Sequence, residues 1–119
     1  MKQCFRPQGL ARRNAKTGLL WRWELRITDI LWKEAVIEKL ADKHRVSIYE
    51  VEEALRSAPL IRRVGKGRVR GEDVYSARAQ IGGGRYLIVF FILKVHGIIM
   101  PVSARDMNPA ERKRYAKER

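Results

Sequence analysis

Apolar positions are densest between Tyr86 and Leu93, an eight-residue run rich in β-branched and aromatic residues. A membrane-spanning helix needs about 20 apolar residues, so this run is too short to cross a bilayer. Its length and composition suit a strand buried on both faces, with Phe90 as a core residue. His96 and Gly97 follow, and glycine tolerates the positive φ of a tight turn. The pattern therefore predicts a β-hairpin at the centre of a sheet.

The second strand of this hairpin is expected to have one buried face and one partly open face. Proline has no N–H for a β-ladder, so Pro101 indicates that one side of the strand is unpaired there. Arg85 precedes the hairpin and Arg105 follows it, and we expect these two cations to converge at one edge of the sheet. The two alternating sets are Met100, Val102 and Ala104 on one face, and Ile99, Pro101, Ser103 and Arg105 on the other.

The residues before the hairpin predict one strand and two helices. Leu19 to Thr28 alternates between apolar and polar side chains, which is typical of a half-buried strand. A helix with an apolar stripe should follow, with Thr28 or Asp29 as its N-cap and its end near His44. Ser47 and Glu50 have the spacing of a capping box, so a second helix should begin there. Its expected buried face is Val51, Ala54, Leu55 and Ala58.

Further strands and a last helix complete the predicted fold. A strand remnant and then a cationic loop are expected between Pro59 and Gly71, followed by a strand from Glu72 to Ile81 and a glycine turn. Asn108 and Glu111 have capping spacing for a helix over about Pro109 to Glu118. That helix has almost no apolar stripe, so it should lie on the surface or meet a partner.

The order of these elements predicts an α+β fold: an N-terminal strand, two helices, an antiparallel sheet of three or four strands and a C-terminal helix. A chain of 119 residues suits a single domain. We expect residues 1–18 to form a disordered basic arm or extension, because they lack apolar periodicity, and residues 19–119 to form the domain. The arm has no continuous apolar segment of the kind that secretory signals contain.

Charge narrows the class of partner. The net charge is +13 and the isoelectric point is about 10.6, which attracts polyanions such as nucleic acids rather than a membrane interior. The single Cys4 excludes an intramolecular disulfide framework, and no Cys/His spacing for zinc occurs. A reducing, cytoplasmic setting is therefore expected. Gly82–Gly84 is expected to be a turn and not a phosphate-binding loop, since no helix follows it.

Four short motifs carry a family resemblance that covers roughly Trp21 to Lys117. Together they resemble BrnT, the ribonuclease toxin of type II toxin–antitoxin systems, whose fold is similar to that of the RelE toxins. The family usually has glycine where this chain has Arg45, and its arm before Leu19 is usually shorter. In chain order the motifs are Lys43-His44-Arg45-Val46-Ser47-x-x-Glu50-Val51, Gly84-Arg85-Tyr86, Val102-Ser103-Ala104-Arg105 and Glu111-Arg112-Lys113-Arg114-Tyr115.

This resemblance implies a RelE-like fold and an endoribonuclease that cleaves RNA without a metal ion or other cofactor. It also implies a cognate antitoxin, expected to be a DNA-binding ribbon-helix-helix protein, that neutralises the toxin. Operator DNA would then be contacted through the toxin–antitoxin complex.

Cleavage of RNA without a metal ion requires three chemical roles. The ribose 2′-hydroxyl attacks the adjacent phosphate, so a base accepts a proton, an acid protonates the leaving oxygen, and cations stabilise the phosphorane. Arg85 and Arg105 suit the last role, because guanidinium binds phosphate bidentately. Lys43 and His44, from the family motif, are the candidate bases, and histidine titrates near neutral pH. His44 also continues the apolar stripe of the first helix, so a structural histidine is the alternative.

The remaining candidates are cations and one tyrosine. Arg112 and Tyr115 are three residues apart and should share a helix face, where Tyr115 would stack on a base or donate a proton. Two rival functions remain open: a non-catalytic nucleic-acid-binding protein, and an inactive toxin that forms half of a DNA-binding repressor complex. The candidates for contact with RNA or with the antitoxin are Arg62, Arg63, Lys66, Arg68 and Arg70.

Overall fold

The fold is known from a computed structural model, which describes residues 21–22, 28–57, 59–67 and 72–118. The expected α+β class is confirmed. In chain order the elements are β1 (Trp21–Arg22), β2 (Asp29–Ile30), α1 (Glu34–Lys39), a π-helical turn (Leu40–His44), α2 (Ile48–Arg56), β3 (Leu60–Lys66), β4 (Asp73–Gln80), β5 (Tyr86–Leu93), β6 (Ile98–Asp106) and α3 (Pro109–Glu118).

Within the described residues the strands form one mixed sheet in the order β1-β3-β4-β5-β6-β2. β2 runs parallel to β6, and the other neighbouring strands are antiparallel. The predicted strand over Leu19 to Thr28 is represented by the two residues of β1, which pair with β3 at one edge. β2 pairs with β6 at the opposite edge. Leu19, Leu20 and residues 23–27 lie outside the described part, as do residues 1–18.

The central strand β5 has the bounds that the apolar run predicts, and both of its faces are covered. Leu87, Val89 and Phe91 are buried in the larger core, which α1, the π-helical turn and α2 close on one face of the sheet. Ile88 is buried in a smaller core under α3 on the opposite face. Phe90 lies on that second face and is only partly buried, so the fully buried phenylalanine of β5 is Phe91.

A β-bulge in β6 inverts the alternation that the sequence suggests. Phe90 pairs with Ser103 and Phe91 with Pro101, so Val102 is an extra residue on β6. One extra residue moves all preceding side chains to the other face. The prediction that Met100, Val102 and Ala104 share a face was therefore wrong. The face towards α1 and α2 carries Ile99, Pro101 and Ala104, and the face towards α3 carries Met100, Ser103 and Arg105.

The bulge also explains how Pro101 is tolerated and how α1 is attached. Bulges are among the few places in a sheet where the missing N–H of proline is accommodated. Lys39 of α1 donates from Nζ to the carbonyl oxygen of Val102 at 3.0 Å. The carbonyl of the bulged residue is thereby satisfied by a helix side chain.

The first helix begins later than predicted, at Glu34, and its N-cap Lys33 makes no side-chain capping bond. Thr28 and Asp29 contact the sheet instead. The Thr28 hydroxyl donates to the carbonyl of His96 at 2.6 Å, and Asp29 belongs to β2. Pairing with β6 keeps these residues extended, so they do not cap α1.

The π-helical turn ends at Arg45, whose backbone is left-handed with φ 54° and ψ 44°. This conformation costs an ordinary residue about 1–2 kcal/mol, whereas glycine adopts it freely. A glycine at this position would adopt the same backbone conformation without that cost. α2 then begins as predicted with both bonds of a capping box between Ser47 and Glu50. Of its predicted buried face, Val51, Ala54 and Leu55 are buried, and Ala58 lies outside the described residues.

β3 extends further than a strand remnant, because it is paired with β4 on one side and β1 on the other. Arg62, Arg63 and Lys66 are therefore strand residues and not members of a loop; Arg68 and Arg70 lie outside the described part. None of the described helices has the length and apolar character needed to cross a membrane.

Candidate nucleic-acid interface

The last helix, α3, is attached to the sheet by charged side chains. Glu111, Tyr115 and Glu118 are spaced at i, i+4 and i+7, so they share one helix face. Across the sheet, Ile88 of β5 pairs with Arg78 of β4 on one side and Arg105 of β6 on the other. Two strand spacings are about 9.6 Å, and seven helical residues rise about 10.5 Å. α3 therefore crosses the strands with each glutamate near an arginine.

Two ion pairs and one tyrosine make this attachment. Arg105 donates two parallel hydrogen bonds of 2.8 and 3.0 Å to the Glu111 carboxylate. Arg78, which is only 3% exposed, donates to Glu118 at 3.0 Å. Tyr115 is buried between them, so its ring is not available for stacking on an RNA base in this arrangement. The helix needs no apolar stripe, because its docking face is complementary in charge to a row of strand residues.

Two arginines lie over aromatic rings on the same face of the sheet. The Arg105 guanidinium carbon is 5.7 Å from the centre of the Phe90 ring, and that of Arg112 is 5.6 Å from the centre of the Tyr86 ring. Tyr86 also meets Tyr115 edge-on at 6.0 Å. Arg112 and Tyr115 thus do share a helix face, through their contacts with Tyr86. Adjacent cations and aromatic rings are the elements of a surface that binds single-stranded nucleic acid.

Arg105 retains hydrogen-bonding capacity despite its ion pair. Its Nη1 donates to Glu111 and to the carbonyl of Asp106, and its Nη2 donates to Glu111. A guanidinium has five N–H groups. Among the described residues, the Nε–H and one Nη2–H of Arg105 have no acceptor, and the side chain is 36% exposed. The ion pair raises the pKa of Arg105 and lowers that of Glu111, so both stay charged near neutral pH.

Arg85, by contrast, has an acceptor for every N–H group. Nε and Nη2 donate to the Asp106 carboxylate at 2.7 and 3.3 Å. Nη1 donates to Glu50 at 2.9 Å and to the carbonyl of Arg45 at 3.1 Å, while Nη2 also reaches the carbonyl of His44 at 3.3 Å. The bonds to Asp106, more than those to Glu50, raise the pKa of Arg85. In this arrangement Arg85 fastens the start of α2 and the preceding turn to the sheet.

The two arginines do not converge as the sequence suggested. Arg105 lies on the α3 face with Ile88, whereas Arg85 binds the π-helical turn and α2 on the opposite face. Asp106 lies between them: its carboxylate accepts from Arg85 and its carbonyl from Arg105. The expectation of a joint phosphate clamp was wrong because side chains alternate between faces, and each guanidinium is held by a different helix.

Both arginines are held by glutamates that occupy the same position in two capping boxes. Glu50 accepts from the backbone N–H of Ser47 at 3.0 Å and also from Arg85. Glu111 accepts from the backbone N–H of Asn108 at 2.9 Å and also from Arg105. Each helix start is therefore tied to one side of the sheet. The sequence reveals the capping spacing, but it does not reveal that the glutamates have arginine partners.

Lys43 and His44 lie at the end of the π-helical turn, which packs against β6. His44 is half-buried and Lys43 is exposed. The position of the turn is fixed by the bond from Arg85 to the His44 carbonyl. Arg85 therefore positions the segment that carries the two candidate bases.

The cations of β3 divide between the two faces of the sheet. Arg62 pairs with Ser76, Ser76 with Phe90, and Phe90 with Ser103, so Arg62 shares a row with the ring beneath Arg105. Arg63 is on the opposite face and is paired with Asp73 at 2.9 Å. Lys66 is exposed at the end of β3, beyond the bulge near Gly65. Of Arg62, Arg63 and Lys66, only Arg62 therefore lies in the line of cross-strand neighbours that contains Phe90.

The net charge is distributed unevenly along the chain. Residues 28–57, which form α1, α2 and the turn between them, have seven Asp/Glu and five Lys/Arg, a net charge of −2. Residues 58–119, which include the antiparallel meander β3–β6 and α3, have 14 Lys/Arg and five Asp/Glu, a net charge of +9. From residue 28 onward, the positive charge is therefore concentrated in the part of the chain that contains Arg62, Arg105 and Arg112.

Sequence reasoning missed the aromatic and acidic residues of this surface. Phe90 and Tyr86 looked like core residues, because the apolar run shows no difference between its partly and fully buried positions. Glu111 looked like a helix cap alone. The spacing of Glu111, Tyr115 and Glu118 was the signal that α3 docks through a charged face.

Fold and surface together define a small basic α+β domain whose α3 face presents arginines beside aromatic rings. Neither protein-family models nor curated proteins match the chain.

Proposed function

We propose that the protein is a metal-independent endoribonuclease that acts as the toxin of a type II toxin–antitoxin system. The observation that carries this proposal is Arg105, which lies over the partly exposed ring of Phe90 with two N–H groups directed to no described acceptor. Arg62 and Arg112 are on the same face of the sheet. Such a face can hold phosphates and stack a base at once.

The arrangement of elements supports the same proposal. Two helices precede an antiparallel meander, and a further helix follows it. This is the order expected for a RelE-like fold, to which the BrnT resemblance points. The resemblance is also the basis for proposing a DNA-binding antitoxin as the neutralising partner, with operator DNA contacted through the complex.

In the proposed reaction the 2′-hydroxyl of the RNA attacks its own phosphate. Arg105 stabilises the negative charge of the phosphorane, and Arg112 and Arg62 hold neighbouring phosphates. Proton transfer is assigned to Lys43 or His44 from the BrnT resemblance alone, because the turn that carries them packs on the face of the sheet opposite to Arg105. Arg85 acts as a positioning residue in this scheme, since its N–H groups already hold that turn.

A second candidate is a protein that grips nucleic acid without cleaving it, whether alone or as an inactive toxin in a repressor complex. This candidate is favoured because Arg85 and Arg105, the two arginines proposed to stabilise the phosphorane, are both paired with carboxylates. Paired arginines can still contribute to a basic surface without stabilising a transition state.

The substitution Arg105→Ala separates these candidates. If Arg105 stabilises charge that appears only in the transition state, cleavage should slow by about 10²–10³ while RNA binding weakens far less. Cleavage of a defined RNA in EDTA is measured beside binding of a non-cleavable 2′-deoxy analogue. Arg63→Ala is the matched control, because it also removes a salt-bridged arginine but from the opposite face. Parallel losses of binding and cleavage in Arg105→Ala would indicate simple gripping.

A further inference from the structure

The ion pair between Arg105 and Glu111 has the geometry of a guanidinium–phosphate contact. Two N–H groups of one arginine meet two oxygens of one anion at 2.8 and 3.0 Å. Carboxylates and phosphates are both bound in this bidentate manner. Glu111 therefore occupies one of the two bidentate edges of the Arg105 guanidinium, that of Nη1 and Nη2, beside the edge of Nε and Nη2 that has no described acceptor.

The ion pair is exposed enough to exchange. The side chains of Arg105 and Glu111 are 36% and 25% exposed, so water screens their attraction, and such pairs are weak. Glu111 also has a second role that does not need Arg105, because its Oε1 accepts the Asn108 N–H at the start of α3. Loss of the arginine contact would thus leave the helix capped.

We propose that Glu111 is a built-in competitor for the RNA phosphate on Arg105. On binding, a phosphate of single-stranded RNA replaces the Glu111 carboxylate on the guanidinium, and the adjacent base stacks at Phe90. The carboxylate lowers the affinity of the free protein for RNA and keeps weakly bound anions away from Arg105. This inference rests on the proposed function, since it takes RNA as the ligand of the α3 face.

The equivalent pair on the other face does not create such a site. Glu50 also stands in a capping box and also binds an arginine, but Arg85 retains Asp106 and two backbone carbonyls when Glu50 is removed. Arg85 also lies on the opposite face from Phe90. Glu50 and Glu111 therefore match in helix position and charge. They differ because only the arginine bound by Glu111 lies beside Phe90 and has N–H groups without a described acceptor.

Three substitutions that each remove one negative charge test the proposal: Glu111→Gln, Glu50→Gln and Glu118→Gln. Glutamine fits a capping box, so the helix starts should be preserved, and circular dichroism checks this. Affinity is measured for a short single-stranded 2′-deoxy-substituted RNA that cannot be cleaved. We expect Glu111→Gln to bind about two- to fivefold more tightly, the factor that corresponds to an exposed ion pair, with a salt dependence steeper by about 0.7. Glu50→Gln and Glu118→Gln should each change affinity by less than about 1.5-fold.

Each other outcome has a defined meaning. Equal tightening in Glu111→Gln and Glu50→Gln would show a general effect of net charge and overturn the proposal. Equal tightening in Glu111→Gln and Glu118→Gln would show that loosening of α3 matters, and would also overturn it. Unchanged or weaker binding by Glu111→Gln, with RNA still bound by the wild type, removes the proposal but leaves the proposed function standing. No binding of RNA by the wild type or by Glu111→Gln would remove both.

A measurement on the unaltered chain serves if Glu111→Gln fails to fold. The ¹⁵N–Hε signals of the arginines are followed by NMR during titration with the same RNA. We expect the signal of Arg105 to shift on saturation while that of Arg85 stays in place. A shift of Arg85 with no shift of Arg105 would overturn the proposal.

Discussion

Arg85 and Arg105 show at the scale of single residues how acceptors decide what a guanidinium can bind. Both were candidates from sequence, and both are charged and partly exposed. Arg85 has its five N–H groups occupied by Glu50, Asp106 and two carbonyls, whereas Arg105 has two without a described acceptor. The residue types were predictable. Their availability was not, because the partners of Arg85 are 21 to 41 residues away in the chain.

Phe90 and Phe91 provide a residue-scale prediction, since they are neighbours that lie on opposite faces of β5. Phe91 is 1% exposed in the larger core, so Phe91→Ala should cost about 3–5 kcal/mol. Phe90 is only partly buried, so Phe90→Ala should cost about 1–2 kcal/mol. Urea unfolding of both variants checks this order. A larger loss for Phe90→Ala would show that the faces of β5 are assigned in reverse.

At the scale of elements, α3 and β6 were the hardest to interpret from sequence. A helix is usually recognised as docked by its apolar stripe, but α3 docks through Glu111, Tyr115 and Glu118. In β6, the side chains before Val102 lie on the face opposite to the one that simple alternation predicts, because Val102 forms a β-bulge. Neither feature has a local signal, since both depend on residues in neighbouring strands. The capping boxes of α2 and α3 were predictable, because their bonds lie within four consecutive residues.

The Arg78–Glu118 pair yields an asymmetric prediction for α3. Glu118→Gln leaves the buried charge of Arg78 poorly compensated and should cost about 2–3 kcal/mol. Arg78→Met removes the buried charge and leaves Glu118, whose side chain is 24% exposed, free to be solvated, so it should cost about 1 kcal/mol or less. Urea titrations of both variants and of the double variant measure these costs. A larger loss for Arg78→Met than for Glu118→Gln would contradict the assigned burial.

The two capping glutamates predict how the helices respond to acid. The Ser47 N–H, followed by Arg85, lowers the pKa of Glu50 below its ordinary 4.5, and Arg105 followed by Asn108 does so for Glu111. A folded-state pKa below the unfolded value gives stability that is present above about pH 4.5 and is lost as pH falls through the lowered folded values.

Unfolding free energies at pH 6, 4 and 3 test this expectation. The wild type should lose stability over this range, and the double variant Glu50→Gln/Glu111→Gln should lose measurably less. An equal loss in both proteins would show that other carboxylates cause the acid sensitivity.

For the whole molecule, the sequence predicted the α+β class, the order of helices and meander, and the central hairpin. These follow from periodicity and turn chemistry within short stretches. It did not predict that short strands from the N-terminal segment pair at both edges of the sheet, or that the α1–α2 layer has a net negative charge while the meander and α3 have most of the positive charge. The helical layer of α1 and α2 thus differs in charge from the strands β3–β6 and α3.

The most direct test of the proposed function is analysis of the ends of RNA cut by the wild-type protein, freed of any antitoxin, in EDTA. Attack by the 2′-hydroxyl should leave a 2′,3′-cyclic phosphate on one product and a 5′-hydroxyl on the other. RNA with a single 2′-deoxy substitution at the cleaved position should stay intact. Products with a 5′-phosphate and a 3′-hydroxyl, or no cleavage of any RNA tried even with ribosomes present, would contradict the account.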